Sequence, residues 1–341
     1  MNSAIKTITL LATLALIGSC FWAYGLLWAP HKGFPGPSSQ VRIKSGATLK
    51  QIARQLAVSK VIKSKTAFYW AARIKGGSNR FKQGRYLFEQ PMNAFEVMEL
   101  LQQGQEHLLQ FTIPEGYRMS EIFEVLRKAG FSNAGQYEAL ATKPSFLKTL
   151  GLPSVPPSIE GFLYPETYRF SPSAGEGEIL RHLTKTFVKN LPPQYEAQAK
   201  ALGLNWYQAV TLASIIEKET GRGTERTLIS SVFHNRLKKK MRLQTDPTVI
   251  YGTKNYKGNI TRKHLKTYSP YNTYMIPALP PTPIASPGLA ALKAAVEPAK
   301  SSYLYFVGKG DGSHKFTKSY KAHNRAVHKY QHRRRKDYRS Y

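Results

Sequence analysis

Two glutamates, Glu217 and Glu219, close a run from Asn205 to Thr220 whose spacing predicts a helix. Ala209, Leu212, Ala213 and Ile216 recur at i, i+3, i+4 and i+7 and form one apolar stripe. At about 100° per residue the two carboxylates fall on opposite shoulders of that stripe, and Lys218 points away. A carboxylate on such a shoulder is partly desolvated, which raises its pKa and holds its proton near neutral pH. A general acid that protonates a glycosidic leaving oxygen needs that property. The opposing reading is an ordinary surface glutamate paired with a neighbour such as Arg222 or Arg226. Periodicity does not choose between the two glutamates.

Two further runs carry dense polar groups. In Met241 to Thr248, followed by Tyr251-Gly252, the side chains of Gln244, Thr245 and Asp246 crowd into a Pro-bounded loop. Such donors and acceptors suit sugar hydroxyls and N-acetyl amides. Asp246 can equally cap a short turn. In Ser269 to Tyr274, Asn272 and Tyr274 offer an apolar platform with polar ends, and the Pro-rich stretch beyond ends at Ala285-Ser286-Pro287-Gly288. There is no G-x-x-x-x-G-K-S/T, no G-x-G-x-x-G and no H-E-x-x-H. His314 and His323 read as surface or structural groups. Polar loops beside shouldered carboxylates, with no metal constellation and no cofactor motif, favour sugar-polymer chemistry over phosphate or hydride transfer.

The elements that position these groups follow from composition and pattern. The chain has 341 residues, 42% of them hydrophobic, enough for a sizeable core in two or three domains. One cysteine excludes a disulfide framework and a Cys-rich metal site. With 50 Lys+Arg against 20 Asp+Glu the net charge is +30, which points to nucleic acid, anionic lipid or a carboxylate-rich polymer as partner.

Ile8 to Trp28 carries no charge and no histidine, and as a helix it is roughly 30 Å long, enough to cross a bilayer. Trp22, Tyr24 and Trp28 cluster in its second half, as interfacial rings do. A cleaved signal led by Lys6, or a lipoprotein box at Ile17-Gly18-Ser19-Cys20, competes with a retained span. The apolar run continues past Cys20, which favours the uncut anchor, with the cysteine as a small apolar residue inside it. Lysines and arginines flank both ends, so charge does not set the orientation.

The expected layout is α+β: residues 1–7 as a short N-terminal segment, 8–28 as a transmembrane helix and 29–40 as a Pro/Gly/Ser-rich linker. Residues 41–107 read as strand, helix, helix, strand and a final helix capped by Asn93, an order that resembles LysM-type glycan-binding modules. A larger α+β domain, 108–330, precedes a basic tail, 331–341. Within it a strand Leu108–Ile113, a helix capped by Ser120, loop and strand beyond Gln244, and a last strand Tyr303–Val307 are expected.

Five runs together are more specific than any one. They are Ile113-Pro114-Glu115-Gly116, Glu160 to Tyr168, Ala213 to Thr220, Val232 to Leu237 and Leu243 to Gly252, with Tyr271 to Tyr274 and Tyr303 to Val307 following in order. They resemble the YceG-like endolytic murein transglycosylases over essentially the whole chain. The resemblance implies a single-span protein of the cell inner membrane, its catalytic domain periplasmic, that cuts nascent peptidoglycan strands and leaves a 1,6-anhydro-N-acetylmuramic acid end. It implies Glu217 as the catalytic acid, with Glu219 in the substrate-binding set as a positioning or structurally paired residue, and Gln244, Thr245, Asp246, Asn272 and Tyr274 as cleft residues. It implies no cofactor, with peptidoglycan synthases as possible partners. Two features depart from the family pattern: the tail Arg333–Arg339 is unusually basic, and Pro277-Ala278 stands where a glycine is expected before Leu279-Pro280-Pro281. The competing functions are a membrane-tethered peptidoglycan-binding scaffold and a hydrolase with Glu166 or Asp246 as second carboxylate. A nucleic-acid binder rests on charge alone and is not expected.

Overall fold

The computed structural model describes residues 2–76, 81–104, 108–131, 135–172, 174–219, 223–254, 256 and 258–332. Thr220, Arg222 and the basic tail from Arg333 onward lie outside them. The chain divides into two units, one comprising Met1–Leu109 with Arg169–Ser173, the other Gln110–Tyr168 with Ala174–Tyr341.

The smaller unit opens with α1 (Asn2–Leu27), which ends one residue before the expected Trp28. Its segment Ile8–Leu27, 20 residues, is long and apolar enough to cross a membrane, and Leu10, Leu11, Leu14 and Phe21 on it are exposed. Then come β1 (Ser39–Ile43), α2 (Leu49–Val58), α3 (Lys65–Ile74), β2 (Gly84–Phe88) and α4 (Ala94–Gln103), the strand–helix–helix–strand order read from the sequence. The helix starts are written locally. The Thr48 hydroxyl accepts the Gln51 N–H at 3.4 Å, and the Gln51 side chain accepts the Thr48 N–H at 2.8 Å. Ser64 caps α3, and Asn93 with Glu96 forms a second reciprocal cap on α4. β1 and β2 pair antiparallel, Val41 opposite Tyr86, over a core of Ile52, Leu56, Phe68, Met98 and Leu101. Leu27, at the end of α1, packs on that core.

A second two-stranded sheet pairs β3 (Leu109–Thr112) with β4 (Thr167–Phe170). The larger unit carries α5 (Met119–Lys128), the short α6 (Gln136–Thr142) and α7 (Pro144–Leu147), then α8 (Glu176–Asn190), α9 (Tyr195–Ala201), α10 (Trp206–Glu219) and α11 (Arg226–Lys238). Ser120 is not the cap expected for α5: it lies in the first turn, and the N–H of Arg118 before it donates to Glu121 Oε2 at 2.7 Å. The stretch beyond Gln244, expected as loop and strand, holds four α-helices among the described residues: α12 (Asp246–Gly252), α13 (Arg262–Lys266), α14 (Leu289–Val296) and α15 (Tyr320–Val327). Pro247, with φ already near the helical value, starts α12, and alanines fill α14. The strand expected at Tyr303–Val307 is β5 (Tyr305–Gly308), and it pairs with β6 (His314–Thr317), which has no counterpart in the sequence reading.

At the centre of this unit α10 is buried on every side from Ala209 to Ile216, not along one stripe only. The off-stripe positions stay satisfied. Ser214 Oγ donates to the Thr211 carbonyl at 2.7 Å and accepts the Ile284 N–H at 3.0 Å.

Candidate active site

The last turn of α10 carries Glu217 and Glu219 at the end where the helix dipole is negative, the wrong end for a carboxylate. Both are held there by groups from distant segments.

Glu217 has a side chain only 7% exposed. Its Oε1 accepts from the Arg226 guanidinium at 3.2 Å, and its Oε2 accepts the Gly288 N–H at 3.0 Å. Gly288 caps the N-terminus of α14, so the second donor belongs to a positive helix end. Glu115 reaches the same place: a Cβ on Gly288 would lie 1.9 Å from Glu115 Oε1. The turn Pro114-Glu115-Gly116 is sewn in by Gly116 N–H to the Ser286 carbonyl at 2.9 Å and by Lys218 Nζ to the Gly116 carbonyl at 3.1 Å. Gly116 has φ 74°, a conformation open to glycine. Burial raises the Glu217 pKa, the Gly288 and Arg226 donors oppose that rise, and the neighbouring Glu115 charge adds to it.

Glu219 faces a different set. The Thr245 hydroxyl donates to its Oε1, Asp246 adds a like charge, and burial pushes the carboxyl up to about 7. Beside it Arg236 is 7% exposed, donating to the carbonyls of Leu243 at 2.6 Å and Leu304 at 2.7 Å, with its guanidinium 5.2 Å from the Tyr305 ring. A groove of about 490 Å³ opens here, lined by Glu219, Gln244, Asp246, Tyr274, Tyr305 and His323 among others. Its rim joins the two polar runs: Gln244 N–H donates to the Thr273 carbonyl at 3.1 Å, and the Tyr274 hydroxyl to Asp246 Oδ1 at 2.7 Å. Gln244 is held at φ 50°, a strained backbone for a residue with a side chain.

Four of the seven expected residues thus line one groove, Glu219, Gln244, Asp246 and Tyr274, with Thr245, 1% exposed, behind them. Glu217 lies on the other side of the turn. Asn272 is not on the groove wall. It is 1% exposed, and its amide donates to the carbonyls of Thr267 at 2.7 Å, His264 at 3.2 Å and Leu265 at 3.2 Å, so it shapes its own loop. Glu166 is exposed.

The profile of the YceG-like family matches residues 41–329. The chain belongs to the YceG-like family. It is 32% identical over 329 residues to the endolytic murein transglycosylase of Bacillus subtilis (strain 168), covering 92% of this chain and 91% of that protein. It is 30% identical over 296 residues to the endolytic murein transglycosylase of Streptococcus pneumoniae serotype 2 (strain D39 / NCTC 7466), covering 78% of this chain and 53%, about half, of that longer protein. A crystal structure of a yceG-like protein from Listeria monocytogenes matches with a TM-score of 0.58 at 30% identity, covering 85% of this chain and 98% of that chain.

Sequence reading of this YceG-like chain quoted Glu115, Glu160 and Gly288 in its runs without giving them a role. Glu160 is 2% exposed, and burial pushes it up to about 7. Its Oε1 accepts the Met119 N–H at 2.9 Å and its Oε2 the Tyr251 hydroxyl at 2.9 Å, which fastens α12 to the Glu160 loop. The Tyr251 ring lies 4.8 Å from Tyr271 and under the Arg118 guanidinium at 5.2 Å. The available signal was Glu160 standing directly before the apolar stretch Gly161-Phe162-Leu163-Tyr164. Of the two histidines named above, His314 Nδ1 pairs with Glu225 at 2.7 Å and His323 stacks on Tyr305 at 5.2 Å, both on the lining of the groove.

Proposed function

We propose that this protein is an endolytic murein transglycosylase that cleaves nascent peptidoglycan strands between N-acetylmuramic acid and N-acetylglucosamine, with Glu217 as the catalytic acid. The observation that carries the reading is the surroundings of Glu217: burial raises its pKa and favours the protonated form, while Arg226 and the Gly288 N–H stand ready to stabilise the carboxylate once the proton has left. In the proposed step Glu217 gives its proton to the bridging oxygen, and the C1–O bond breaks. The carboxylate then takes the proton of the muramic acid C6 hydroxyl, whose oxygen bonds to C1 and closes the 1,6-anhydro ring. Water does not enter, and no cofactor takes part. The relatives' names support the murein substrate.

The groove walled by Gln244, Asp246 and Tyr274 serves as the strand-binding surface, and Thr245 and Asn272 hold its shape. The segment Ile8–Leu27 serves as a single inner-membrane anchor with the catalytic unit on the periplasmic side. The strand–helix–helix–strand module is read as LysM-like, and peptidoglycan synthases as the source of the strand.

One observation favours a second assignment within the same reaction. The groove is lined by Glu219 and not by Glu217, and Glu219 is itself pushed up to about 7. Mass spectrometry of un-crosslinked strands incubated with the full chain, Glu217→Gln and Glu219→Gln separates these. Anhydro ends made by wild type and Glu219→Gln but not by Glu217→Gln support the proposal, and the converse moves the acid to Glu219. Reducing ends would make the protein a hydrolase, and intact strands with retained binding would make it a scaffold.

A further inference from the structure

The +30 charge is unevenly placed. From Met1 to Phe88 there is no aspartate or glutamate, and the first acidic residue is Glu89. Within that stretch a cavity of about 470 Å³ lies between α2 and α3, lined by Lys50, Arg54 and Lys65 with Thr66 and Tyr69. Among the described residues no ion pair joins those three cations. The neighbouring stripe of α3 is apolar and open: Trp70 is 53% exposed and Ile74 84%. Arg73 ties stripe and cavity together, with its guanidinium 5.9 Å from the Trp70 ring while it donates to the Tyr69 hydroxyl at 3.0 Å. A cationic pocket beside an exposed tryptophan is the pairing that an anionic lipid surface selects.

The end of the span fixes where this face lies. Lys63, just before α3, donates to the Gly25 carbonyl of α1 at 2.7 Å. Lys75, just after α3, sits 5.3 Å over the Phe95 ring, and Phe95 is 4.8 Å from Trp28, the residue following α1. The start of α3 is thereby bonded to the last turn of the span and its end is linked through Phe95 of α4 to Trp28 just beyond it, so α3 lies beside the point where the chain leaves the bilayer. We infer that the α2–α3 face rests on the membrane, with Lys50, Arg54 and Lys65 holding the phosphates of anionic phospholipids and Trp70 and Ile74 seated at the interface. This rests on α1 being a membrane anchor. The face would hold the module flat on the bilayer.

The test uses the full chain in nanodiscs whose acyl chains carry bromine, a contact quencher of tryptophan. Trp70 is one of 4 tryptophans, and the difference between wild type and Trp70→Phe isolates its emission. In discs containing phosphatidylglycerol, Trp70 is expected to lose roughly half its emission, as an interfacial ring would. Phosphatidylcholine discs, the Lys50→Gln/Arg54→Gln/Lys65→Gln variant, or NaCl raised to about 0.5 M should each restore it. Equal quenching in both lipids, or quenching in neither, overturns the inference while Trp22 and Trp28 remain quenched. If Trp22 and Trp28 are also unquenched and the chain elutes without lipid, the anchor reading itself fails and takes the inference with it. If Trp70 answers to soluble polyphosphate and not to the charged bilayer, the face belongs to an anionic polymer and the lipid assignment falls.

Discussion

The two sides of the last turn of α10 hold carboxylates of the same chemistry in opposite ways. On one side Glu217 meets a cation and the N-terminus of α14. On the other Glu219 meets a neutral hydroxyl and a second carboxylate, Asp246. Burial raises both, but Glu217 accepts hydrogen bonds from a cation and a helix N-terminus, whereas the Arg236 charge beside Glu219 opposes its rise through the field alone, its guanidinium donating to the carbonyls of Leu243 and Leu304. A group that must give a proton and later take one back needs both states within reach, and a group that stays protonated needs only the second environment. On the proposed assignment this difference, more than the pKa direction the two share, is what would set a catalytic carboxyl apart from a positioning one.

The strongest way to break the comparison is Glu217→Gln. Activity on glycan strands should fall roughly 10²–10⁴-fold, the range for loss of a general acid, with Glu219→Gln falling clearly less. Initial rates of anhydro-end formation measure both, and a larger loss at Glu219 would reverse the roles.

Glu160 provides a third buried carboxyl, answered like Glu219 by neutral donors. Its folded pKa of about 7 lies above the ordinary 4.5, so the folded state binds the proton more tightly. The stability this gives is fully present below about 4.5, declines as pH rises towards about 7, and is gone above it. Glu160→Gln should flatten that decline by on the order of 3 kcal/mol in urea unfolding compared at acid and neutral pH. Glu219 titrates in the same window, so part of the slope should survive until it too is replaced.

Thr245→Val is expected to cost about 1–3 kcal/mol, because a buried carboxyl loses its hydroxyl donor. The loss should be larger at pH values where Glu219 is ionised, and thermal melts across pH measure it. A pH-independent loss would mean that the hydroxyl matters to the fold of the loop and not to Glu219.

The sequence carried the contact-free half of this site. Helical spacing put Glu217 and Glu219 on opposite shoulders, and the structure keeps them apart. The Arg226 partner of Glu217 was within reach of the sequence, nine residues on, but the rest of what each shoulder faces comes from residues 115 and 288 on one side and 236, 245 and 246 on the other, separations that periodicity cannot reach. Asn272 misled for a related reason. An asparagine in a polar loop looks available to a ligand, yet its amide is taken by carbonyls of its own loop. α14 went unread because its eight residues, Leu289–Val296, are nearly all small and apolar, with no polar face to mark a period. It matters most to the site, since its capping Gly288 supplies the donor that distinguishes Glu217.

The finest test of the comparison leaves both glutamates in place. Glu115 lies beside Glu217, and its charge raises the pKa there; no like charge from Glu115 acts on Glu219. Glu115→Gln removes the charge with little change of shape and leaves Arg226 and the Gly288 N–H where they are. Glu217 should then ionise at lower pH, and an acid that ionises sooner loses its proton sooner as pH rises. The alkaline limb of the rate profile should therefore move to lower pH, while the rate on the acid side changes little. Full pH profiles of anhydro-end formation for wild type and Glu115→Gln measure the shift. An unmoved alkaline limb would mean that this limb reports another group, and Glu219, with Asp246→Asn as the matching substitution, would be the next to examine.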